Sequence, residues 1–343
     1  TIQNTDCNEA AYQFAITAEI TCTNPVFVNL NPQVQANTTT TTCNAVVNYP
    51  LSVTGIPAPA LSYTFSGATT GSGSGTGTGK TFNIGTTRVT VTAVNPCNTV
   101  VYAFDVIVSD VTAPTAVAQN ITIHLNANGT AGITAAQVNN GSSDNCGIAT
   151  MVLNKTNFDC SNVGENTITL TVTDVNDNSS TATATVTVID NIAPTAVAQN
   201  LTIHLNANGT AGITAAQVNN GSSDNCGIAT IVLDKTNFDC SNVGEHTVTL
   251  TVTDVNGNSS SATATITVVD NIAPTITAPA NINQGTDAGI CGATVNLGTP
   301  ITADNCSIAN VGNNAPTLFP VGTTVVIWTV TDVNGNSSTA TQT

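Results

Sequence analysis

Only 4 basic residues stand against 20 Asp and Glu in this chain of 343, a net charge of -16. Charged residues of either sign make up 7% of the sequence, where an ordinary globular chain carries about a quarter. A surface this acidic excludes nucleic acid and anionic lipid as electrostatic partners. Aromatics are scarce as well, with 8 Phe, 4 Tyr and 1 Trp, so the 41% hydrophobic content comes mainly from small aliphatic residues and the cores must be small. No run of 18 apolar residues is present, which excludes a spanning helix. No basic and apolar leader opens the chain, so an export signal is expected outside it. No Cys-x-x-Cys pair with a nearby His supports a zinc or redox site, and no His, Ser and Asp arrangement recurs to suggest a triad. The chain does not read as an enzyme.

What is abundant is repetition. Residues 111–190 and 191–270 align without a gap over 80 positions and differ at 11, as in Ile121 for Leu201, Met151 for Ile231 and Asp177 for Gly257. Such mild exchanges are what packed cores tolerate. Residues 271–343 repeat the linker Asn-Ile-Ala-Pro, the turn Asp304-Asn305-Cys306 and the run Thr331-Asp332-Val333-Asn334-Gly335-Asn336, and residues 23–110 form a more distant relative. Residues 1–22, with Cys7-Asn8 and Tyr12-x-Phe14, echo Cys97-Asn98 and Tyr102-x-Phe104 and read as the closing strand of a preceding repeat. The last repeat reads as about five residues short of its own closing strand.

Within a repeat the period is two. Ile168, Leu170 and Val172 alternate with threonines, as do Ala184, Val186 and Val188, and Asp174-Val175-Asn176-Asp177-Asn178 between them supplies a hairpin turn. Six or seven short strands in 80 residues predict an all-β fold of tandem immunoglobulin-like sandwiches. Pro-containing linkers without a flexible spacer predict that these stand end to end as a semi-rigid rod of about 150 Å, from strands of about ten residues at 3.3 Å each. The run Gly71 to Gly79 reads as a long hairpin loop.

Ten cysteines at repeated positions read as disulfides made in an oxidising compartment, outside the cytoplasm. Spacings of 14 and 15 predict Cys146 with Cys160, Cys226 with Cys240 and Cys291 with Cys306, each closing a loop within its own repeat. Cys97 could pair with Cys22 or Cys43, and Cys7 is expected to lack a partner. The linker carboxylates Asp110, Asp190 and Asp270 could meet the hairpin-turn carboxylates Asp174 with Asp177, Asp254 and Asp332, in oxygen-rich sites suited to calcium. The competing reading is that these residues only make Asx turns, with Asp144, Asp224 and Asp304 as turn formers before the cysteines.

The last repeat resembles the hyalin repeat (HYR), an immunoglobulin-like extracellular module. The resemblance rests on Ala273-Pro274-Thr275-Ile276, Cys291-Gly292-Ala293-Thr294-Val295, Asp304-Asn305-Cys306, Phe319-Pro320-Val321-Gly322-Thr323-Thr324 and Thr331-Asp332-x-Asn334-Gly335-Asn336. The two 80-residue repeats match in part, lacking a cysteine at the place of Cys291 and gaining Cys160 and Cys240. The Thr- and Asn-rich tandem is also similar to large Bacteroidetes surface adhesins, including those of gliding motility. This resemblance implies a stalk at the bacterial cell surface whose partners are other repeats of the same long chain. Two alternatives are a module that itself binds surface polysaccharide or other cells, and a spacer in a secreted multidomain enzyme.

Overall fold

A computed structural model describes residues 21–343. The expected closing strand over residues 1–22, with Cys7, lies outside the described residues apart from its last two positions. The chain divides into two compact units. One gathers the described residues up to Ile121 with Ile133–Thr156 and Asn166–Val186; the other comprises Thr122–Gly132, Asn157–Glu165 and Thr187–Thr343. The fold is all-β, in tandem immunoglobulin-like sandwiches, as the sequence period requires.

The third repeat shows the plan in full. Gly244–Asp254 and Ser259–Val269 form the long hairpin, with Thr253 opposite Ser259 and Gly244 opposite Val268. Leu201–His204 joins the second of these strands in parallel, and Ile228–Leu233 joins the first antiparallel with a bulge between Ile228 and Thr230. A small second sheet pairs Thr210–Gly212 with Asn237–Asp239. Val248, Leu250 and Val252 point inward and are fully buried while the intervening threonines stay at the surface. This is the alternation expected of a strand with one wet face. Phe238, Leu205, Ile213, Val218, Ile266 and Val268 close the core. The second repeat uses the same register, Leu153 opposite Leu170 and Thr150 opposite Thr173, and its Ile168, Leu170 and Val172 are equally buried.

The first repeat holds most of the aromatics. Its main sheet runs in the order Gln33–Asn37, Thr99–Ser109, Gly85–Val94, Ala60–Gly67 and Gly71–Ser74, over a core of Tyr49, Phe65, Phe82, Val89, Val91 and Phe104. The glycine-rich run is therefore not all loop. Gly71–Ser74 is an edge strand, with Ser62 opposite Ser74 and Phe65 opposite Gly71. Its glycines make room for rings: a Cβ on Gly73 would stand 2.7 Å from the Tyr63 hydroxyl, and one on Gly77 would stand 2.8 Å from Phe65. Composition alone made this segment look like a loop because its packing partners lie on another strand.

In the last repeat Ile308–Asn313, Val326–Asp332 and Ser337–Gln342 form the sheet. Trp328 is buried in it and donates its indole N–H to Gln342 Oε1 at 3.0 Å.

Candidate junction site

Where one repeat meets the next, three short segments converge: the linker Asp, the Asp-Asn-Cys turn, and the final hairpin turn. The hairpin turn is held by its own local bonds. Asp254 Oδ1 accepts the N–H of Asn256 at 2.9 Å and of Asn258 at 2.8 Å, and its Oδ2 accepts the Asn258 amide at 2.8 Å. Asp332 holds Asn334 and Asn336 in the same way, and Asp174 holds Asn176 and Asn178. The Asn amide then reaches the linker, Asn258 donating to the Asp190 carbonyl at 3.2 Å and Asn336 to the Asp270 carbonyl at 3.1 Å.

The Asp-Asn-Cys turn completes the junction. Asp224 Oδ2 accepts the N–H of Cys226 at 2.8 Å and of Gly227 at 3.0 Å, which fixes the turn. Asn225 donates to Asp190 Oδ1 at 3.2 Å and to the carbonyl of Asn126 in the preceding repeat at 3.4 Å. Asn305 does the same with Asp270 and Asn206, and Asn145 bridges Asp110 and the Thr39 carbonyl. Asp144, Asp224 and Asp304 read from the sequence as turn formers, and Asn145, Asn225 and Asn305 carry no signal there. Their role across the junction was missed because their partners belong to another repeat.

The structure brings Asp190, Asp224 and Asp254 together, and likewise Asp270, Asp304 and Asp332, with carboxylate oxygens within 4.8 Å of one another. At the first junction the group is Asp110 and Asp144 with Cys146, and Asn178 links Asp110 to Asp174. Asp110, Asp190 and Asp270 are 7%, 6% and 5% exposed. Burial raises the pKa of Asp110, and hydrogen bonds from Thr38, the Thr112 N–H and Asn145 outweigh it, leaving that carboxyl below its usual range. Asp254 and Asp332 are held low by the same contest, burial against their Asn and turn N–H donors. Asp177 stands outside these groups: it is exposed, at φ +70°, where the other copies place Gly257 at φ +93° and Gly335 at φ +92°. It fills a left-handed turn position that Asp tolerates.

The disulfides differ from the expected pairing. Cys160 is bonded to Cys226, Cys240 to Cys306 and Cys43 to Cys146, with Cα atoms 5.3, 5.4 and 4.7 Å apart, so each bond joins consecutive repeats. Cys22, at the entry to the first repeat, pairs with Cys97 within it. The expected links Cys146 to Cys160, Cys226 to Cys240 and Cys291 to Cys306 are not formed, and Cys291 is free and exposed. Cys306 is taken by Cys240, which leaves Cys291 without it, and for the other two links the physical reason is the strand between the cysteines. Ile228–Leu233 carries the chain about 20 Å at 3.3 Å per residue between Cys226 and Cys240, too far for a bond that needs Cα atoms within about 7 Å.

Register explains which residues carry the sulfur. Ala45, Ala211 and Ala293 face Phe82, Phe238 and Phe319 across equivalent short pairs. Cys43, Gly209 and Cys291 each lie two residues before that Ala, so they occupy one position. At Gly209 a Cβ would come within 2.6 Å of both Cys240 Sγ and the Asn305 carbonyl. A repeat thus carries either a cysteine here or a glycine here with the cysteine on the turn Cys240–Asn242. Cys291 holds the position from which Cys43 reaches the following repeat.

Two outcomes follow. Peptide mapping without reductant should recover Cys43 with Cys146, Cys160 with Cys226 and Cys240 with Cys306, and alkylation of the native chain should label Cys291. Gly209→Ala should lower stability by at least the ~1 kcal/mol that a positive φ costs a residue with a Cβ, with the contact adding to it. Thermal melting against Gly221→Ala, at φ +84° with open space around it, separates the two terms.

The comparisons with known proteins agree with the last repeat's motifs. The family model described as HYR domain matches residues 269–343. Hyalin of Strongylocentrotus purpuratus is 33% identical over 281 residues, covering 76% of this chain and 23% of its own length. The chain therefore spans about a quarter of that curated relative. Among solved structures, the protocadherin GammaB4 extracellular domain aligns at 16% identity and TM-score 0.31, over 95% of this chain and 67% of its own. Drosophila N-cadherin EC1-4 aligns at 13% identity and TM-score 0.29, over 91% and 98%.

Proposed function

We propose that this chain is a load-bearing spacer: extracellular, adhesion-type repeats forming part of the stalk of a large surface adhesin. The observation that carries this reading is the set of three disulfides, each joining one repeat to the next. Under tension the covalent path enters at Cys43, crosses to Cys146, runs to Cys160, crosses to Cys226, runs to Cys240 and crosses to Cys306. Residues 44–145, 161–225 and 241–305 are bypassed. Those segments contain the long hairpin strands of the second and third repeats, Gly164–Asp174, Ser179–Ile189, Gly244–Asp254 and Ser259–Val269. Force applied along the chain therefore does not act on these strands through the backbone.

The match to the HYR domain and the likeness to hyalin support an extracellular adhesion role, and disulfides at this density suit an oxidising compartment. Attachment to a bacterial surface, and service in gliding, are the finer form of the proposal. Cys291, placed as Cys43 is, fits a link in a repeated series. Single-molecule stretching with and without reductant tests the load-bearing role.

A further inference from the structure

We propose that each of the three junctions binds one calcium ion in an all-oxygen site. It is built from the linker Asp, the Asp and Asn of the Asp-Asn-Cys turn, and the hairpin turn. This goes beyond the spacer reading and is tested on the unloaded chain, so either can fail alone.

The acidic groups are only the first observation. The second is a set of oxygens that the protein leaves without a partner. At the second junction these are Oδ2 of Asp190, Oδ1 of Asp224 and the amide oxygens of Asn225 and Asn256, all shielded from solvent and accepting no hydrogen bond. The third junction repeats the set with Asp270, Asp304, Asn305 and Asn334, and the first with Asp110, Asp144, Asn145 and Asn176. Among the described residues, the buried side-chain oxygens without a partner are these twelve, four at each junction, and all are oxygen acceptors. Folding that buries an acceptor without a donor loses its hydration for nothing, so native proteins satisfy such atoms. Three copies of one orphaned set point to a ligand that the set is made for.

Chemistry selects that ligand. The other oxygens of these carboxylates are already used: Asp190 Oδ1 by Asn225 and the Ile192 N–H, Asp224 Oδ2 by two turn N–H groups, Asp254 Oδ1 by two more. Every one of these donors is neutral, so three carboxylates with oxygens within 4.8 Å of one another are held without a compensating side-chain cation. A donor would satisfy one oxygen at a time; a cation satisfies all of them and cancels the repulsion. Carboxylate and amide oxygens without nitrogen or thiolate suit a hard ion. The Cys146 sulfur at the first junction is committed to its disulfide and offers no thiolate. Calcium accepts the larger, irregular oxygen shell that such turns offer, whereas magnesium demands a small octahedron and keeps its waters. The ion would fasten the linker of one repeat to both turns of the next, beside the disulfide and independent of it.

The test is calorimetric titration of CaCl2 into the oxidised full chain after EDTA treatment and dialysis, with melting followed in parallel. Three ions per chain and a melting temperature that rises with CaCl2 concentration are expected, since an ion bound only to the folded state stabilises it by mass action. Asp224→Asn should reduce the stoichiometry to two while peptide mapping still finds Cys160 linked to Cys226. Asp177→Gly should leave it at three. Absence of uptake by the wild-type chain, with no change in melting, overturns the proposal whether or not the variant folds; the oxygens would then be satisfied by water. Uptake that Asp224→Asn leaves unchanged places the ion elsewhere and overturns it too. An equal rise in melting temperature with MgCl2 overturns the choice of calcium.

Discussion

Replacing Cys240 and Cys306 together by serine should lower stability by about 4 kcal/mol, the chain-entropy value for a closed loop of this length, here 66 residues between the bonded cysteines. The double replacement strands no new thiol beside Cys291, which is free already, and serine keeps nearly the volume of each half-buried cysteine against the third repeat's core. Urea unfolding of the oxidised chain should show the transition that includes the third and last repeats moved to lower denaturant, with the first repeat's transition unmoved. If the bonds instead closed within each repeat, Cys226 with Cys240 would close a loop of 14 residues, and the same double replacement would expose two thiols that were bonded before it, at Cys226 and Cys291. Thiol titration of the variant therefore reads the pairing independently of the melt.

Phe238→Ala should cost about 3 to 5 kcal/mol, the range for truncating a buried aromatic. Phe238 is 2% exposed at the centre of the third repeat's core, against Val248, Ile266 and Val268. Lys235 Nζ stands over its ring at 4.8 Å, and the two sit on either side of the turn into Asn237–Asp239. That short strand ends at Cys240, so loss of the ring loosens the support of the junction sulfur. The third repeat should melt first, and the Cys240 to Cys306 bond should become reducible below the temperature at which the wild type yields. Val232→Ala, on a neighbouring strand but 53% exposed, should stay within about 0.5 kcal/mol of wild type, as surface changes do. An equal loss in both variants would mean that the core is not organised around Phe238.

The contrast between these two positions shows what the sequence made legible. Val248, Leu250 and Val252 alternate with threonine along one strand, and a period of two needs no tertiary knowledge to be read as one buried face. The hairpin turn Asp254 to Asn258 was equally local, since its Asp bonds its own next residues. The repeats, their sandwiches and the linker carboxylates at the junctions all follow from signals within one repeat.

What the sequence hid is whatever one repeat does to the next. Cys226 and Cys240 are neighbours along the chain and strangers in space, because a strand runs between them. Asp224 and Asn225 read as a turn and are one, but the Asn225 amide also reaches the preceding repeat's Asp190 and Asn126. Asp177 looked like an extra ligand for the first junction and is a turn residue standing in for glycine. A signal for the true pairing was present: Gly209 and Cys291 occupy one position, and the repeats with glycine there are those with a cysteine on the next turn. Read as an exchange of partners across a register, that pattern places the sulfur at the junction and not within the repeat.

Stretching a single oxidised chain by its ends, then repeating the pull in reductant, tests the load-bearing role most directly. With the junction bonds closed, the extensible path from Cys43 to Cys306 is two stretches of 14 residues, or about 100 Å of contour. Reduction should release the bypassed segments and raise that contour to about 900 Å. Bonds within each repeat would have removed only the short loops, leaving about 750 Å before reduction, and an oxidised contour near that value would contradict the account.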